Sequence, residues 1–327
     1  MRRASARGVV SRGLTWCFLF LTGIILPAQE NITGTSNNPS QAADTCLRRG
    51  IALTVWKSPE NASLRASDLQ ITVDGKSAPV LSLNKENLSP RIVLLVDTSG
   101  SMGGISQRWK NSLLAVGFAL DSLPPHSPVA LVTFSNKTDV WGFGDPEQIR
   151  QKLLALTQSK PHGATALYDA IHAASRLFGT PQFGDTIYIV TDGGDNHSAA
   201  SLKLLVNTLI QHGIRIFAFV VRPAPGDPAP PSPEVQAGVD FIEFVKSTGG
   251  GWIEAQLTPT WSQSKKAQQD RESIRSQIES PYALEVQLPF APAKPTKLKI
   301  ASSARGFEIS YPQHIEPCPP SDALAKR

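Results

Sequence analysis

Apolar positions along this chain follow three patterns, and each predicts a different kind of element. Between residues 51 and 83 they alternate: Ile51, Leu53 and Val55, then Leu69, Ile71 and Val73. A period of two marks strands buried on one face. Asp74-Gly75 follows the second run and reads as a hairpin turn, because both residues tolerate positive φ. Residues 78 to 83 are the expected return strand. From residue 91 to 255 the pattern changes to short, nearly unbroken apolar runs at 92–96, 129–134, 187–190 and 214–221, the last broken only by Arg215. Such runs predict strands covered on both faces.

Helical spacing separates those runs. Trp109, Leu113, Val116 and Leu120 share one face, as do Ile149, Leu153 and Leu156. Two more faces come from Leu167, Ala170, Ile171, Ala174 and Leu177, and from Leu202, Leu205, Val206 and Leu209. Pro124-Pro125 and Gly213 end two of these helices. Residues 138 to 141 are expected as a strand antiparallel to the one before, since few residues intervene. A helix over 235–248 closes at Gly249-Gly250-Gly251 and is followed by a strand at Trp252-Ile253. Residues 259–279 read as a charged helix with Trp261, Ile274 and Ile278 inward, and alternation returns at 283–288, 297–301 and 307–311.

Strands alternating with amphipathic helices predict an α/β class: a doubly wound, mostly parallel sheet with one antiparallel edge strand. The flanking alternating segments, about three strands each, are too small to bury a core separately and together make a small β-sandwich-like module. The expected organisation is a signal peptide at 1–28, a polar leader at 29–45, the first part of the β module at 46–88 and the α/β domain at 89–258. A connecting helix at 259–280, the second part of the module at 281–318 and a tail at 319–327 complete it.

The first segment changes the charge argument. Arg2, Arg3, Arg7 and Arg12 precede a thirteen-residue apolar stretch from Leu14 to Leu26, with Pro27-Ala28 before Gln29. That is the build of an export signal, too short for a comfortable membrane span and read either as cleaved or as an uncleaved anchor. Its four arginines, taken from a net charge of +5, leave +1, so the basic balance points to no nucleic-acid partner. Cys17 leaves with the signal, and the remaining Cys46 and Cys318 are expected to pair in an oxidising compartment.

Candidate chemistry starts where the 92–96 run meets Asp97-Thr98-Ser99-Gly100-Ser101. A carboxylate and two hydroxyls at alternate positions suit a hard divalent cation, although the same residues also suit an ordinary turn or cap. Open α/β sheets bind ligands at the carboxyl ends of their parallel strands. Two further loops meet there, one with Thr165 in GATALYDAI and one with Asp192 in IVTDGGDN. The D-x-S-x-S run resembles the metal-ion-dependent adhesion site (MIDAS) of von Willebrand factor type A (VWA) domains, and the resemblance runs in order over residues 91–255, Phe134-Ser135 included.

That resemblance implies a metal set of Asp97, Ser99, Ser101, Thr165 and Asp192, with the aspartates often acting through bound water. Mg²⁺ is the first choice of ion, and Mn²⁺ or Ca²⁺ are alternatives. An ion held mainly by neutral oxygens stays electrophilic and takes an Asp or Glu of a protein partner as its last ligand. Ala164 replaces a glycine frequent in the family, and Asn136 stands where an acid is frequent; neither removes a ligand. Asp195 reads as a solvated turn residue rather than a support to the site, and His162 as a loop residue.

Other chemistries find little footing. The six histidines lack zinc-like spacing, and no nucleophile elbow, P-loop or dinucleotide fingerprint occurs. Sequons at Asn31, Asn61, Asn87, Asn136 and Asn196 matter only in a eukaryotic secretory pathway. The proline-rich loop at 222–234 reads equally as a partner-tuning loop and as a polyproline spacer. The segments ASDLQITVDGKSAPV and YALEVQLPF on either side of the VWA-like region resemble those of bacterial exported VWFA-related proteins. The expectation is a secreted or periplasmic metal-dependent binding protein, an adhesin or scaffold and not an enzyme, with no membrane span after signal cleavage. Its rivals are a subunit of a larger envelope assembly or of a chelatase- or secretion-type machine, and a metal-assisted hydrolase.

Overall fold

Strand β5 (Ile92–Asp97) lies inside the largest sheet, and every one of its residues is buried. In the computed structural model, which describes residues 46–60, 62–103, 108–222, 232–255 and 260–318, it pairs in parallel with β6 (Val129–Phe134) on one side and β8 (Thr186–Thr191) on the other. Parallel β9 (Arg215–Val221) and β10 (Gly251–Ala255) extend the sheet beyond β8. Antiparallel β7 (Thr138–Gly144) closes the other edge, giving the order β10-β9-β8-β5-β6-β7.

Alternate side chains of β5 enter two different cores, which is why the strand reads as an unbroken apolar run. Ile92, Leu94 and Val96 meet α1 (Arg108–Asp121) and α6 (Lys265–Glu279) through Val116, Phe118, Ala119, Ile274 and Ile278. The α2 helix (Pro146–Leu156) adds Ile149 and Leu153 to the same side. Val93 and Leu95 face the opposite side, covered by α3 (Leu167–Arg176), α4 (Leu202–Gln211) and α5 (Ser232–Ser247). Burying five such side chains contributes roughly 8 to 15 kcal/mol before chain entropy is counted.

The remaining strands form two four-stranded antiparallel sheets, and each takes two strands from either end of the described chain. One is ordered β13 (Glu308–Ser310), β1 (Arg48–Lys57), β11 (Tyr282–Gln287), β4 (Val80–Lys85); the other β14 (His314–Ile315), β12 (Thr296–Ser302), β2 (Leu69–Val73), β3 (Lys76–Ser77). Their inward faces share one core, with Ile51, Leu53, Leu284 and Val286 from the first sheet and Ile71, Val73, Leu298 and Ile300 from the second. The α/β class and the terminal β module expected from the sequence are therefore both present. Cys46 and Cys318 form a disulfide with a Cα separation of 5.8 Å.

Two expectations need correction. The Asp74-Gly75 turn forms, with φ of 50° and 79°, but its return strand is only β3. Pro79 has no N–H to continue a ladder, and the chain crosses to the other sheet, where β4 pairs with β11. The helix expected from residue 259 begins at Lys265, where the Ser264 hydroxyl accepts from the Ala267 N–H (3.1 Å). Trp261 precedes it and packs on Phe118 and Phe219, with ring centroids 5.1 and 5.7 Å apart. The signal-like segment, the leader, residues 223–231 of the proline-rich loop, the sequons at Asn31 and Asn61 and the tail lie outside the described residues.

The two layers meet at a seam built on the glycine run. Thr54 Oγ1 donates to the Gly249 carbonyl (2.8 Å) and Ser310 Oγ to that of Gly250 (2.9 Å). Trp56 lies so close to Gly251 that a Cβ there would fall 1.2 Å from its ring. Arg215 is wholly buried beneath: its Nη1 donates to Thr54 Oγ1 (3.1 Å) and the Gln277 carbonyl (2.9 Å), and its Nη2 to the Ile278 carbonyl (3.0 Å). These last carbonyls belong to the C-terminal turn of α6, where the helix dipole favours a cation. Burial lowers the guanidinium pKa to about 10, so it stays charged at neutral pH.

Candidate metal site

Each loop of the candidate site begins where a central strand ends. Asp97 closes β5 fully buried, and its Oδ1 accepts the Ser99 N–H (2.9 Å), a local turn that short acidic side chains form readily. Its Oδ2 accepts from Thr191 Oγ1 (2.7 Å), the last residue of β8. Ser99 Oγ and Ser101 Oγ lie 3.1 Å apart, and buried Met102 anchors the short helical turn Gly100–Met102 that carries Ser101.

Backbone hydrogen bonds stitch the other two loops to the first. Gly100 N–H donates to the Gly163 carbonyl (3.0 Å) and His162 N–H to that of Thr98 (3.1 Å). Thr165 is buried, its N–H bonded to Asn196 Oδ1 (2.8 Å), while the Asn196 and His197 N–H groups both donate to its carbonyl (3.0 and 3.1 Å). Asp192, half-buried after β8, accepts the Gly194 N–H on Oδ1 (3.2 Å). The loops bearing Asp97, Ser99 and Ser101, Thr165, and Asp192 are thus joined at the carboxyl end of the sheet.

Some of the residues that hold this arrangement are not apparent from the motif. Thr191 satisfies Asp97, and Asn196 positions Thr165. Asp195 is not a solvated turn residue. Its Oδ1 accepts from the Leu167 N–H (2.8 Å) and from Ser198 Oγ (2.6 Å), so it caps α3 from a different loop. The only sequence signal for this role was the density of Asp, Asn and Ser in residues 192–198. His162 is exposed, with its Nδ1 3.0 Å from the Lys160 carbonyl, as a loop residue would be.

Electrostatics at the site favour a cation. Burial, and then the charge of Asp192, push the Asp97 carboxyl up to about 7, against the hydrogen bonds from Ser99 and Thr191. Among the described residues no ion pair includes Asp97 or Asp192. No three His, Cys, Asp or Glu side chains converge among them as a metal site either. The donors here are two carboxylates and three hydroxyls. A buried carboxylate beside a second one and neutral oxygens is a donor set that fits a hard divalent ion.

Residues 92–194 match the von Willebrand factor type A domain family. No curated protein matches the sequence. The chain is similar to the solved structure of a conserved hypothetical protein BatB from Bacteroides thetaiotaomicron (18% identity, 57% of this chain and 98% of that one, TM-score 0.43). It is also similar to a von Willebrand factor type A protein from Catenulispora acidiphila (13% identity, 77% and 73%, TM-score 0.43).

Proposed function

Starting from the VWA domain that this chain carries at residues 92–194, we propose that the protein binds other proteins through a divalent cation and is not an enzyme. Asp97, Ser99, Ser101, Thr165 and Asp192 would hold the ion, with Mg²⁺ first and Mn²⁺ or Ca²⁺ as alternatives. When bound, the ion supplies an electrophilic position for an Asp or Glu side chain of the partner. The observation that carries this reading is Asp97, its carboxyl pushed up by burial and then by its neighbour Asp192, set beside two serine hydroxyls and in no ion pair among the described residues.

The chain's own residues do the positioning. Thr191 and the Ser99 N–H orient the Asp97 carboxylate, and Asn196 and Asp195 fix the Thr165 loop against the Asp192 loop. An exported location fits the Cys46–Cys318 disulfide, since such bonds persist in oxidising compartments. No helix among the described residues is long and apolar enough to cross a membrane.

The test is calorimetric titration of Mg²⁺ and Mn²⁺ into the wild type, Asp97→Ala and Thr165→Ala. Cation binding should disappear in both variants while near-ultraviolet circular dichroism stays unchanged. Equal cation affinity in Asp97→Ala would remove the reading.

A further inference from the structure

The loops around the candidate site carry an uneven charge. Lys137 is exposed in the turn after β6, where its carbonyl accepts the Ser135 N–H (2.9 Å) and where Asn136 lies against Gly163. Lys160 is exposed in the loop whose next residue, Pro161, packs against Gly103 beside Ser101. Lys110 is exposed in the first turn of α1, where a cation opposes the helix dipole. Exposed His162 and His197 add donors, and the His197 N–H is bonded to the Thr165 carbonyl.

None of these three lysines has an ion-pair partner among the described residues. Arg222, at the end of β9, is neutralised by Glu254 (3.0 Å). Asp139, exposed near the start of β7, is the opposing carboxylate on the rim. Among the described residues of this rim three exposed lysines without ion pairs meet one exposed acid, Asp139, while Asp169 and Asp195 are half-buried and held by backbone N–H groups; this leaves a positive border around a pair of site carboxylates that a divalent ion would offset.

We infer that this rim selects a partner segment carrying a run of acidic residues, with one acid directed to the site and its neighbours facing Lys137, Lys160 and Lys110. The inference rests on the metal-dependent reading above and deepens it. A lone Asp or Glu would engage the site but leave the border unused. Flanking acids gain from each exposed lysine the modest attraction of a surface pair, about two- to threefold in affinity. Together the lysines are worth on the order of tenfold at low ionic strength, and the attraction fades as salt screens it.

The experiment compares two fluorescent Gly/Ser peptides of equal length, one with a single central Asp and one with that Asp flanked on each side by glutamates. Both are titrated into the full chain in Mg²⁺ and in EDTA, at about 50 mM and about 500 mM salt, with wild type, Asp97→Ala and the Lys137→Gln/Lys160→Gln variant. The acidic run should bind about tenfold tighter than the single acid at low salt. That preference should shrink at high salt and in the lysine variant, whose affinity for the single-acid peptide stays unchanged. Equal, Mg²⁺-dependent affinity for the two peptides would overturn this inference and leave the metal reading standing. A preference for the run that persists in EDTA and in Asp97→Ala would keep the rim and overturn the metal reading. Binding of neither peptide would overturn both. Displacement of the acidic peptide by a single-stranded oligonucleotide of equal charge, at equal affinity, would also overturn the inference, since any polyanion would then serve.

Discussion

Gly251→Ala is the sharpest probe of how the β module is held to the α/β domain. A methyl at this position would lie 1.2 Å from Trp56 Cζ2 and 1.7 Å from Cη2, so the indole has to leave its place. Gly251 is not at positive φ, and alanine is therefore unstrained there apart from this collision. Trp56 packs on Phe217 and Trp252 with centroid separations of 6.4 and 6.1 Å, and it is half-buried. An indole buries on the order of 200 Å² when fully covered, so displacing this one exposes roughly 100 Å², worth about 2.5 kcal/mol. Strain in the neighbouring side chains adds about 1 kcal/mol. The expected loss is about 2 to 4 kcal/mol, a fall in Tm of roughly 5 to 10 °C for a protein of this size. Urea unfolding of wild type, Gly251→Ala, Trp56→Ala and the double variant gives the assay. In the Trp56→Ala background the glycine change should cost under about 1 kcal/mol, so the cycle reports a coupling of about 1 to 3 kcal/mol. An undiminished cost of Gly251→Ala in that background would refute the reasoning, because the methyl would then be colliding with something other than Trp56.

Three further outcomes follow from the same structure. Because the Asp97 carboxyl sits at about 7 in the fold, above its value in an unfolded chain, protonation favours folding; metal-free protein should lose this contribution as pH rises from about 4 through 7. Saturating Mg²⁺ should flatten that fall in Tm, and Asp97→Asn should abolish it. Asp195→Ala removes the cap on α3 and should cost about 1 kcal/mol in urea unfolding, together with a weaker calorimetric affinity for Mg²⁺. Replacing Cys46 and Cys318 by serine frees a loop spanning a sequence separation of 272 and should cost up to about 5 kcal/mol, read as a lower urea midpoint.

The sheet was legible because burial on both faces writes itself into the chain as contiguous apolar residues, as at 92–96. In the candidate site Asp97, Ser99 and Ser101 declare themselves by spacing, and Thr165 and Asp192 by the resemblance to VWA domains, whereas Thr191 and Asp195 do not. Asp195 bonds to an amide 28 residues earlier, at Leu167, and no local periodicity records such a partnership. Arg215 stood out only as an interruption in an apolar strand. Its role depends on the carbonyls of Gln277 and Ile278 some sixty residues later, at the end of a helix whose own pattern speaks only of its apolar face. The crossing at Pro79 is hidden in the sequence for a related reason. Alternation shows that a segment is a strand but does not say which of two facing sheets it joins.

The disulfide also decides how the protein carries a pull. Cys46 and Cys318 stand at opposite ends of the described chain with Cα atoms 5.8 Å apart. Tension applied between the segments that enter and leave there runs through a covalent link. Both small sheets, the six-stranded sheet and the loops of Thr165 and Asp192 lie in a slack loop outside the line of force. Tension applied at those loops against an anchor at either cysteine takes another route. It crosses to the β module through the seam at Gly249, Gly250, Trp56 and Arg215 and through the chain itself at residues 86–91 and 280–281. The seam and those two chain links share such a load, and the bridge holds the two ends of the β module together while they do.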